Sequence, residues 1–324
     1  MTTLFDLSLR GKIRVTGSDR TEFLHRMLTK DIKSLAAGRN TYAAFLTAAG
    51  KVLADMHVFV FAESILLDVE PGLEKKLIPL LEKYIITDDV KLTDETGRMG
   101  HFCLVGPEAE RIAGVILSPC IGEIPDARAK DLTRREILHF AQDDTEQKTF
   151  ATTLLIPVER GEEFTKKILE VGKTFGLKPA GRETYEILRI EAGILRYGQD
   201  ISEDVTLSET GLDAIAADEN KGCYPGQEVV ARTKTYGGLQ RKMTGLEFEE
   251  GPLPASGDKI YAEETGGKRG LEIGWVTSAC FSPSLAKGIG LGYVRKGFFE
   301  KPARVLIQSK QGPAGARTTS LPFV

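Results

Sequence analysis

The segment from residue 220 to 238, NKGCYPGQEVVARTKTYGG, places a cysteine among glycines and a proline. Cys223 precedes a run from Gln227 to Tyr236 that contains no helix breaker, so the spacing predicts a thiol close to the N-terminus of a helix. The positive end of the helix dipole and the nearby Lys221 both favour the thiolate. We therefore expect a lowered pKa for Cys223 and a redox or mixed-disulfide chemistry.

Two other roles for this cysteine stay open. A lone cysteine is commonly a small buried apolar residue, and the glycines around it also suit a structural loop. Acyl transfer through Cys223 is less favoured, because it requires a general base that is normally a histidine. The sequence neither supplies nor excludes one, since the histidines are all distant in the chain: His25, His57, His101 and His139.

The predicted helix carries three polar residues at intervals of four, Glu228, Arg232 and Tyr236, which share one face. Such an acid and base pair usually lies in solvent and contributes about 0.3 kcal/mol. Gly237 and Gly238 supply the left-handed geometry that ends a helix. The segment is thus predicted to form a loop before Gln227, a helix from Gln227 to Tyr236 and a helix end at Gly237 and Gly238.

The elements that must position this segment alternate between helices and strands. Apolar residues at helical spacing predict helices over residues 19–32, 73–85, 162–175 and 182–192. Alternating β-branched and aromatic residues predict strands over 42–47, 52–61, 65–69, 90–93, 102–105 and 152–158, with a hairpin turn at 48–51. The polar stretch 120–149 is predicted to include an exposed loop at 142–148 and carries no predicted function.

The character of the chain changes near residue 241. Five short strands separated by Gly, Pro and Ser predict a small barrel-like β domain: 243–248, 259–262, 271–278, 289–294 and 303–308. We therefore expect a region of interleaved helices and strands over 1–240 and a β-barrel over 241–324.

Charge and composition exclude several classes of function. A net charge of −3 and a pI near 6.0 over 324 residues give no attraction to phosphate backbones or anionic lipid, so we expect neither a nucleic-acid nor a membrane partner. No apolar run is long enough to span a bilayer, and no targeting signal opens the chain, so a cytoplasmic protein is expected. The four cysteines form no C-x-x-C pair, so no metal site is predicted.

The cysteine segment resembles the signature of the YgfZ family. The matching residues are Lys221, Gly222, Cys223, Tyr224, Gly226, Gln227 and Glu228, followed by Arg232, Lys234, Tyr236 and Gly238. A second segment, Leu188-Arg-Ile-Glu191-Ala-Gly193 with Tyr197-Gly198, is similar to the part of the glycine cleavage T-protein superfamily whose glutamate binds a pterin ring. The resemblance covers most of the chain.

This resemblance implies an α+β fold of three subdomains, arranged like a clover leaf around a channel for tetrahydrofolate, with ferredoxin-like parts and a C-terminal β-barrel. It also implies Arg232 and Tyr236 as cofactor-binding residues. Residues 50–55, Gly-Lys-Val-Leu-Ala-Asp, are similar to the segment in which T-proteins carry two adjacent acids, one of them catalytic in aminomethyl transfer. Here Ala54 replaces the first acid and Asp55 remains.

Glu191 falls in the last turn of the helix predicted over 182–192, which Gly193 ends. A carboxylate there faces the negative end of the helix dipole, so a compensating partner is expected. A reduced pterin offers adjacent N–H donors that a carboxylate can accept in a two-point pair. The alternative is that Glu191 reaches solvent or Arg196. Tyr197 could add an aromatic ring that stacks on the pterin.

The leading hypothesis is a tetrahydrofolate-binding accessory protein that supports the synthesis or repair of iron–sulfur enzymes through Cys223. Its partners would be folate and iron–sulfur client proteins or assembly factors. The alternative is a tetrahydrofolate-dependent aminomethyltransferase, in which Asp55 positions the amine of a protein-bound lipoyl arm. A folate-dependent demethylase of small methylated amines is a third, less favoured possibility.

Overall fold

The computed structural model describes residues 2–117, 137–141, 150–249, 251–264, 267–310 and 312–324. The chain divides into two compact units, one of Met1–Ala43 with Ala54–Arg182 and one of Ala44–Leu53 with Glu183–Val324. The loop predicted at 142–148 lies outside the described residues. Within the described part of the chain, no helix combines the length and the apolar character needed to cross a bilayer.

The first unit interleaves strands and helices, as the sequence predicts. Its strands are β1 Thr3–Asp6, β2 Gly11–Thr16, β3 Asn40–Leu46, β4 Val52–Val60, β5 Ile65–Val69, β6 Lys91–Asp94, β7 Met99–Val105, β8 Ile137–Ala141, β9 Phe150–Pro157 and β10 Lys178–Pro179. Its helices are α1 Arg20–Met27, α2 Glu74–Glu82, α3 Ala109–Leu117 and α4 Gly161–Gly172. The strands form two sheets, with the orders β10–β1–β7–β9–β8 and β3–β4–β5–β2–β6.

Helices α3 and α4 pack on the sheet that contains β7 and β9. Ile112 and Ile116, one helical turn apart on α3, lie in one apolar core with Ile168 of α4, Leu104 of β7 and Leu154 of β9. Each such side chain stabilises the fold by about 1.5 to 3 kcal/mol when it leaves water. The apolar spacing of these helices is therefore what holds them to the sheet.

Some element bounds differ from the sequence prediction. The helix expected over 19–32 stops at Met27, because Leu28 is already extended with ψ of 159°. The helix expected over 162–175 ends at Gly172 and continues as a 3-10 turn, Lys173–Phe175. Strands β1 and β2 were not predicted. Their positions between β7 and β10, and between β5 and β6, depend on partners far away in the chain.

The second unit contains α5 Arg182–Glu191, α6 Leu207–Thr210, α7 Asp213–Ala216 and α8 Gln227–Tyr236. Its strands are β11 Arg241–Phe248, β12 Lys259–Glu264, β13 Lys268–Ser282, β14 Lys287–Arg295, β15 Arg304–Ser309 and β16 Gly312–Thr319. These strands form a closed barrel in the order β11–β14–β13–β12–β15–β16, which confirms the predicted barrel. Strand β16 was not predicted, and β13 is longer than expected because it runs on to Ser282.

Candidate functional site

The glycines of the cysteine segment serve the packing of the backbone. Gly226 caps α8 with φ of +82°, and a Cβ on it would lie 2.5 Å from the carbonyl oxygen of Thr47 and 2.9 Å from Cα of Gly50. Gly50 has φ of +73°, and its own Cβ would meet Val229 of α8 at 3.0 Å. The turn at 47–50 and the start of α8 thus approach each other too closely for side chains.

Cys223 and Gly222 are exposed, whereas Lys221 and Tyr224, which enclose them in the sequence, are buried. The Nζ atom of Lys221 lies 4.9 Å from the centroid of the Tyr224 ring, which is a cation–π contact. Both side chains are only 8 % exposed. Lys221 and Tyr224 therefore anchor the loop, and the thiol between them faces solvent.

The other described cysteines have a different environment. Burial raises the pKa of Cys103 to about 12, and burial together with the neighbouring Glu191 raises the pKa of Cys280 to about 11. Both thiols are therefore neutral at physiological pH and poor nucleophiles. Among the cysteines in the described ranges, Cys223 is the one that a reagent or a partner reaches freely.

Helix α8 begins at Gln227 and ends before Gly237 and Gly238, both at positive φ, as predicted. Arg232 Nη2 lies 3.1 Å from Glu228 Oε1, and both side chains are more than two-thirds exposed. Tyr236 is 84 % exposed. Glu228, Arg232 and Tyr236 thus share one side of α8, as predicted, and this side is exposed to water. The ligand-binding role of Arg232 and Tyr236 stays a prediction.

Glu191 is the last residue of α5 and is only 5 % exposed. Its Oε1 accepts hydrogen bonds from the hydroxyls of Ser282 at 2.5 Å and Ser284 at 2.6 Å. Gly193 follows with φ of +68°, the predicted stop. The expectation that Glu191 might reach solvent or Arg196 is wrong, since Arg196 bonds to Glu186 instead.

The two serines are the compensating donors that the sequence did not reveal. Because Ser282 and Ser284 both donate to Oε1, the other carboxylate oxygen, Oε2, is the remaining acceptor of Glu191. Oε2 accepts no hydrogen bond from the residues that the structure describes. A two-point pair with a pterin, as the sequence suggested, therefore requires a serine hydroxyl to turn away, and it stays a prediction.

Tyr197 lies on the loop that follows α5, and its ring is half-buried. Its hydroxyl donates a long hydrogen bond, 3.5 Å, to the carbonyl oxygen of Val52. Gly198 next to it has φ of +85°. The stacking role of Tyr197 stays a prediction.

Asp55 lies on β4 in the first unit and is 7 % exposed. The phenol of Tyr42, on the neighbouring β3, donates a hydrogen bond of 2.6 Å to its Oδ2. Its Oδ1 is buried and has no partner among the described residues. Burial raises the pKa of Asp55 to about 6, and the hydrogen bond from Tyr42 opposes this rise. Ala54 beside it is fully buried.

A network of buried charges centres on Asp68 of β5, the strand next to β4. Asp68 of β5, opposite His57 in the sheet register, accepts from Arg10 Nε at 2.5 Å, while His101 Nδ1 is 3.3 Å and Lys12 Nζ 3.8 Å away. Burial acts to raise the pKa of Asp68, but the Arg10 guanidinium first, and then the contacts with His101 and Lys12, hold it well below its usual range. Burial lowers the pKa of His57 to about 3, so this ring is neutral.

In the described residues, no three His, Cys, Asp or Glu side chains are grouped so that they could bind a metal ion. The candidate site residues fall into three groups, which are defined by the hydrogen bonds and exposure described above. These are the exposed Cys223 on its loop, the Glu191 carboxylate with Ser282 and Ser284, and the Asp55 carboxylate with Tyr42. Tyr42 was missed from sequence, although it lies on the strand before Asp55 in the predicted hairpin.

The chain matches two family models, the GCVT N-terminal domain over residues 1–219 and the glycine cleavage T-protein C-terminal barrel domain over residues 241–324. It therefore belongs to the glycine cleavage T-protein superfamily. The expected superfamily is confirmed, whereas the match does not reach the YgfZ subfamily within it.

Similar proteins are named as transferases. The aminomethyltransferase of Halalkalibacterium halodurans is 27 % identical over 99 % of this chain and 86 % of its own length. That of Caldanaerobacter subterraneus subsp. tengcongensis is 31 % identical over 90 % of this chain and 76 % of its own length. A putative chloroplastic transferase of Arabidopsis thaliana is 31 % identical over 90 % of this chain and 65 % of its own length.

A solved structure has the same fold. The glycine cleavage system aminomethyltransferase T from Bartonella henselae aligns with a TM-score of 0.80 over all of this chain and 86 % of that chain, at 21 % identity. The α+β fold with its closed barrel is thus that of a T-protein.

Proposed function

We propose that this protein binds a reduced folate and transfers an aminomethyl group, as the names of its relatives suggest for them. The observation that carries this proposal is the orphaned Oδ1 of Asp55. A buried carboxylate oxygen without a donor is costly, so it is best explained by a donor that arrives with a ligand. The amine of an aminomethyl group carried on a lipoyl arm is such a donor.

The residues around Asp55 fit this role. With a pKa of about 6, the carboxylate is mostly ionised at pH 7 and attracts a cationic amine. Tyr42 occupies Oδ2 and so holds the carboxylate with Oδ1 free for the substrate. Folate would bind through the open Oε2 of Glu191 and, by our prediction, the ring of Tyr197. When bound, the reduced folate would supply the nitrogen atoms that accept the carbon of the aminomethyl group, while its amine leaves as ammonia and the lipoyl sulfur leaves as a thiol.

The test is an assay of ammonia release from an aminomethylated lipoyl carrier protein, with and without tetrahydrofolate. We expect folate-dependent release by the wild type and a decrease in kcat of at least about 100-fold in Asp55→Asn. Asp6→Asn on β1, an exposed carboxylate that accepts from the N–H of Ser8, is the matched control and should be fully active. Equal activity of Asp55→Asn and the wild type would overturn the role of Asp55.

A second function is favoured by one specific observation, the exposed Cys223 within the segment that resembles YgfZ. In this hypothesis the protein also binds folate, but supports the synthesis or repair of iron–sulfur enzymes in other proteins. In this hypothesis the loop that Lys221 and Tyr224 anchor presents the thiol of Cys223 to a client protein, and this chain need not bind a metal itself. The accessory function gives the unpaired Oδ1 of Asp55 no specific role. We therefore rank the accessory function below the transferase function.

Complementation separates the two functions. A strain that lacks the gene is supplied with the wild type, Cys223→Ala, Cys280→Ala or Asp55→Asn, and the activity of its iron–sulfur enzymes is measured. The accessory function requires that Cys223→Ala fails while Cys280→Ala and Asp55→Asn restore activity. The transferase function requires that ammonia release is lost in Asp55→Asn and retained in Cys223→Ala.

A further inference from the structure

Helix α5 carries a second buried charge two residues before Glu191. Arg189 is 2 % exposed, and its Nη1 donates a hydrogen bond of 2.8 Å to Oδ2 of Asp200, whose side chain is completely buried. The backbone N–H of Arg196 also donates to this oxygen, at 3.0 Å. The end of α5 and the loop that follows it are thus joined through one carboxylate.

The remaining groups of the pair are bonded as well. Arg189 donates to Ser278 Oγ at 2.9 Å, Glu186 Oε2 at 2.8 Å and the carbonyl of Ile194 at 3.1 Å. Asp200 Oδ1 accepts from the hydroxyls of Thr277 and Ser278, both at 2.6 Å. A buried ion pair of this kind adds little net stability, because the desolvation of both charges offsets their attraction. The effect of the Arg189–Asp200 pair is to fix the position of helix α5 relative to the loop that follows it and to β13.

The position of α5 that the ion pair fixes is also the position in which Glu191 contacts β13. Ser278, which bonds to both members of the pair, lies on β13, and so does Ser282, which donates to Glu191. Helix α5 is therefore fixed to one barrel strand at two points, by Arg189 to Ser278 and by Glu191 to Ser282. A shift of α5 along β13 would break both contacts together.

We propose that the Arg189–Asp200 pair is a positioning device for the Glu191 carboxylate. It holds α5 on β13 so that Ser282 and Ser284 occupy Oε1 and Oε2 stays available to the ligand. Arg189 and Asp200 act through Glu191 and do not contact the folate. This inference rests on the folate binding proposed above.

The test is a double-mutant cycle on tetrahydrofolate binding, measured by anaerobic calorimetry well below the melting temperature of every variant. The cycle compares the wild type, Asp200→Asn, Glu191→Gln and the double variant. Asp258→Asn is the matched control, because this half-buried carboxylate just before β12 accepts from the N–H of Ala255 and contacts neither α5 nor Glu191 among the hydrogen bonds of the described residues. Ser278→Ala, which keeps the ion pair and the bond from Thr277 to Asp200 but removes the contact of Arg189 with β13, is measured in both backgrounds as well.

We expect Asp200→Asn to weaken binding about tenfold in the wild-type background and less than about twofold in the Glu191→Gln background. Asp258→Asn should leave the affinity unchanged. Equal weakening in both backgrounds, or none, would overturn the positioning role, because a merely structural residue lowers stability without coupling to Glu191. If Asp200→Asn does not fold, Ser278→Ala decides by the same criterion. A wild type that binds no tetrahydrofolate would instead defeat the proposed function, and this inference with it.

Discussion

Tyr42 and Asp55, which lie 13 residues apart on neighbouring strands, are joined by a hydrogen bond of 2.6 Å from the phenol to the carboxylate. Burial raises the pKa of both groups, and that of Tyr42 lies well above its ordinary value. The proton therefore stays on the phenol, and the carboxylate is the group that titrates. The pair thus supplies a buried acid whose charge changes near pH 6.

Replacing Tyr42 by Phe removes the donor that stabilises the ionised carboxylate, so the pKa of Asp55 is expected to rise further above 6. If the ionised Asp55 is required, the rate of ammonia release increases with pH through this pKa. The pH profile of Tyr42→Phe should then have its rising limb at higher pH than that of the wild type. Tyr261→Phe on the barrel is the control, and an unmoved limb in Tyr42→Phe would contradict the prediction.

Asp55 should also affect stability in a pH-dependent way. Its pKa is about 6 in the folded protein and near 3.8 when unfolded, so the folded state binds the proton more tightly. Stability is therefore lost as pH rises from 4 to 6. In Asp55→Asn this loss is absent, and the variant should gain about 3 kcal/mol relative to the wild type between pH 4 and pH 7.

Urea unfolding at unit steps of pH measures this difference. Gln240→Ala serves as the control, since this exposed side chain carries no titratable group and its removal should give a constant difference from the wild type. A constant difference for Asp55→Asn as well would show that the carboxylate titrates normally in the folded protein.

Alkylation should distinguish the cysteines. A thiol with a pKa of about 11 is roughly 0.1 % thiolate at pH 8, and burial further restricts access to Cys103 and Cys280. In a Cys120→Ser background, we expect iodoacetamide to modify Cys223 at least about 100 times faster than the other two. Peptide mass spectrometry measures the rates. Comparable rates at Cys223 and Cys280 would mean that the loop does not present its thiol to solvent.

Substitution of Gly226 tests whether the turn at 47–50 and the start of α8 lie too close together for a side chain. A side chain at Gly238, which has φ of +97° and nothing within 4 Å, meets only conformational strain of about 1 to 2 kcal/mol. Gly226→Ala adds a contact with the carbonyl of Thr47 and should destabilise the protein by about 3 kcal/mol or more. The two variants are compared by urea unfolding, and equal losses would disprove the steric argument.

Local signals in the sequence predict much of this fold. Glycine after the helix at Glu191, the breaker-free run of α8 and the alternation in five barrel strands are patterns within a few residues, and the structure confirms these elements. Strand β16 escapes prediction because its sequence, GPAGARTT, is poor in β-branched and aromatic residues. Its inward Ala314 and Ala316 suit the crowded barrel interior, where closure against β11 and β15 decides the structure.

The partners of the site residues are less predictable. Glu191 was found from its helix position, but Ser282 lies 91 residues further along the chain, and no local pattern marks it as a donor. The same holds for Asp200 and Ser278, which are 78 residues apart, bond directly to each other and both bond to Arg189. By contrast, the predicted hairpin already placed the strand of Tyr42 next to that of Asp55. A search for hydroxyls on the adjacent strand would have found the pair.

The two serines beside Glu191 also set the order in which this part of the molecule can mature during synthesis. Ser284 lies 93 residues beyond Glu191, and the backbone N–H that donates to the carbonyl of Glu191 belongs to Phe323. Helix α5 therefore leaves the ribosome long before any of these donors has been translated. The nascent chain must keep a carboxylate exposed at a helix end until the barrel has closed. The hydrogen-bonded environment of Glu191 is thus completed late in synthesis, after the last barrel strands have been translated.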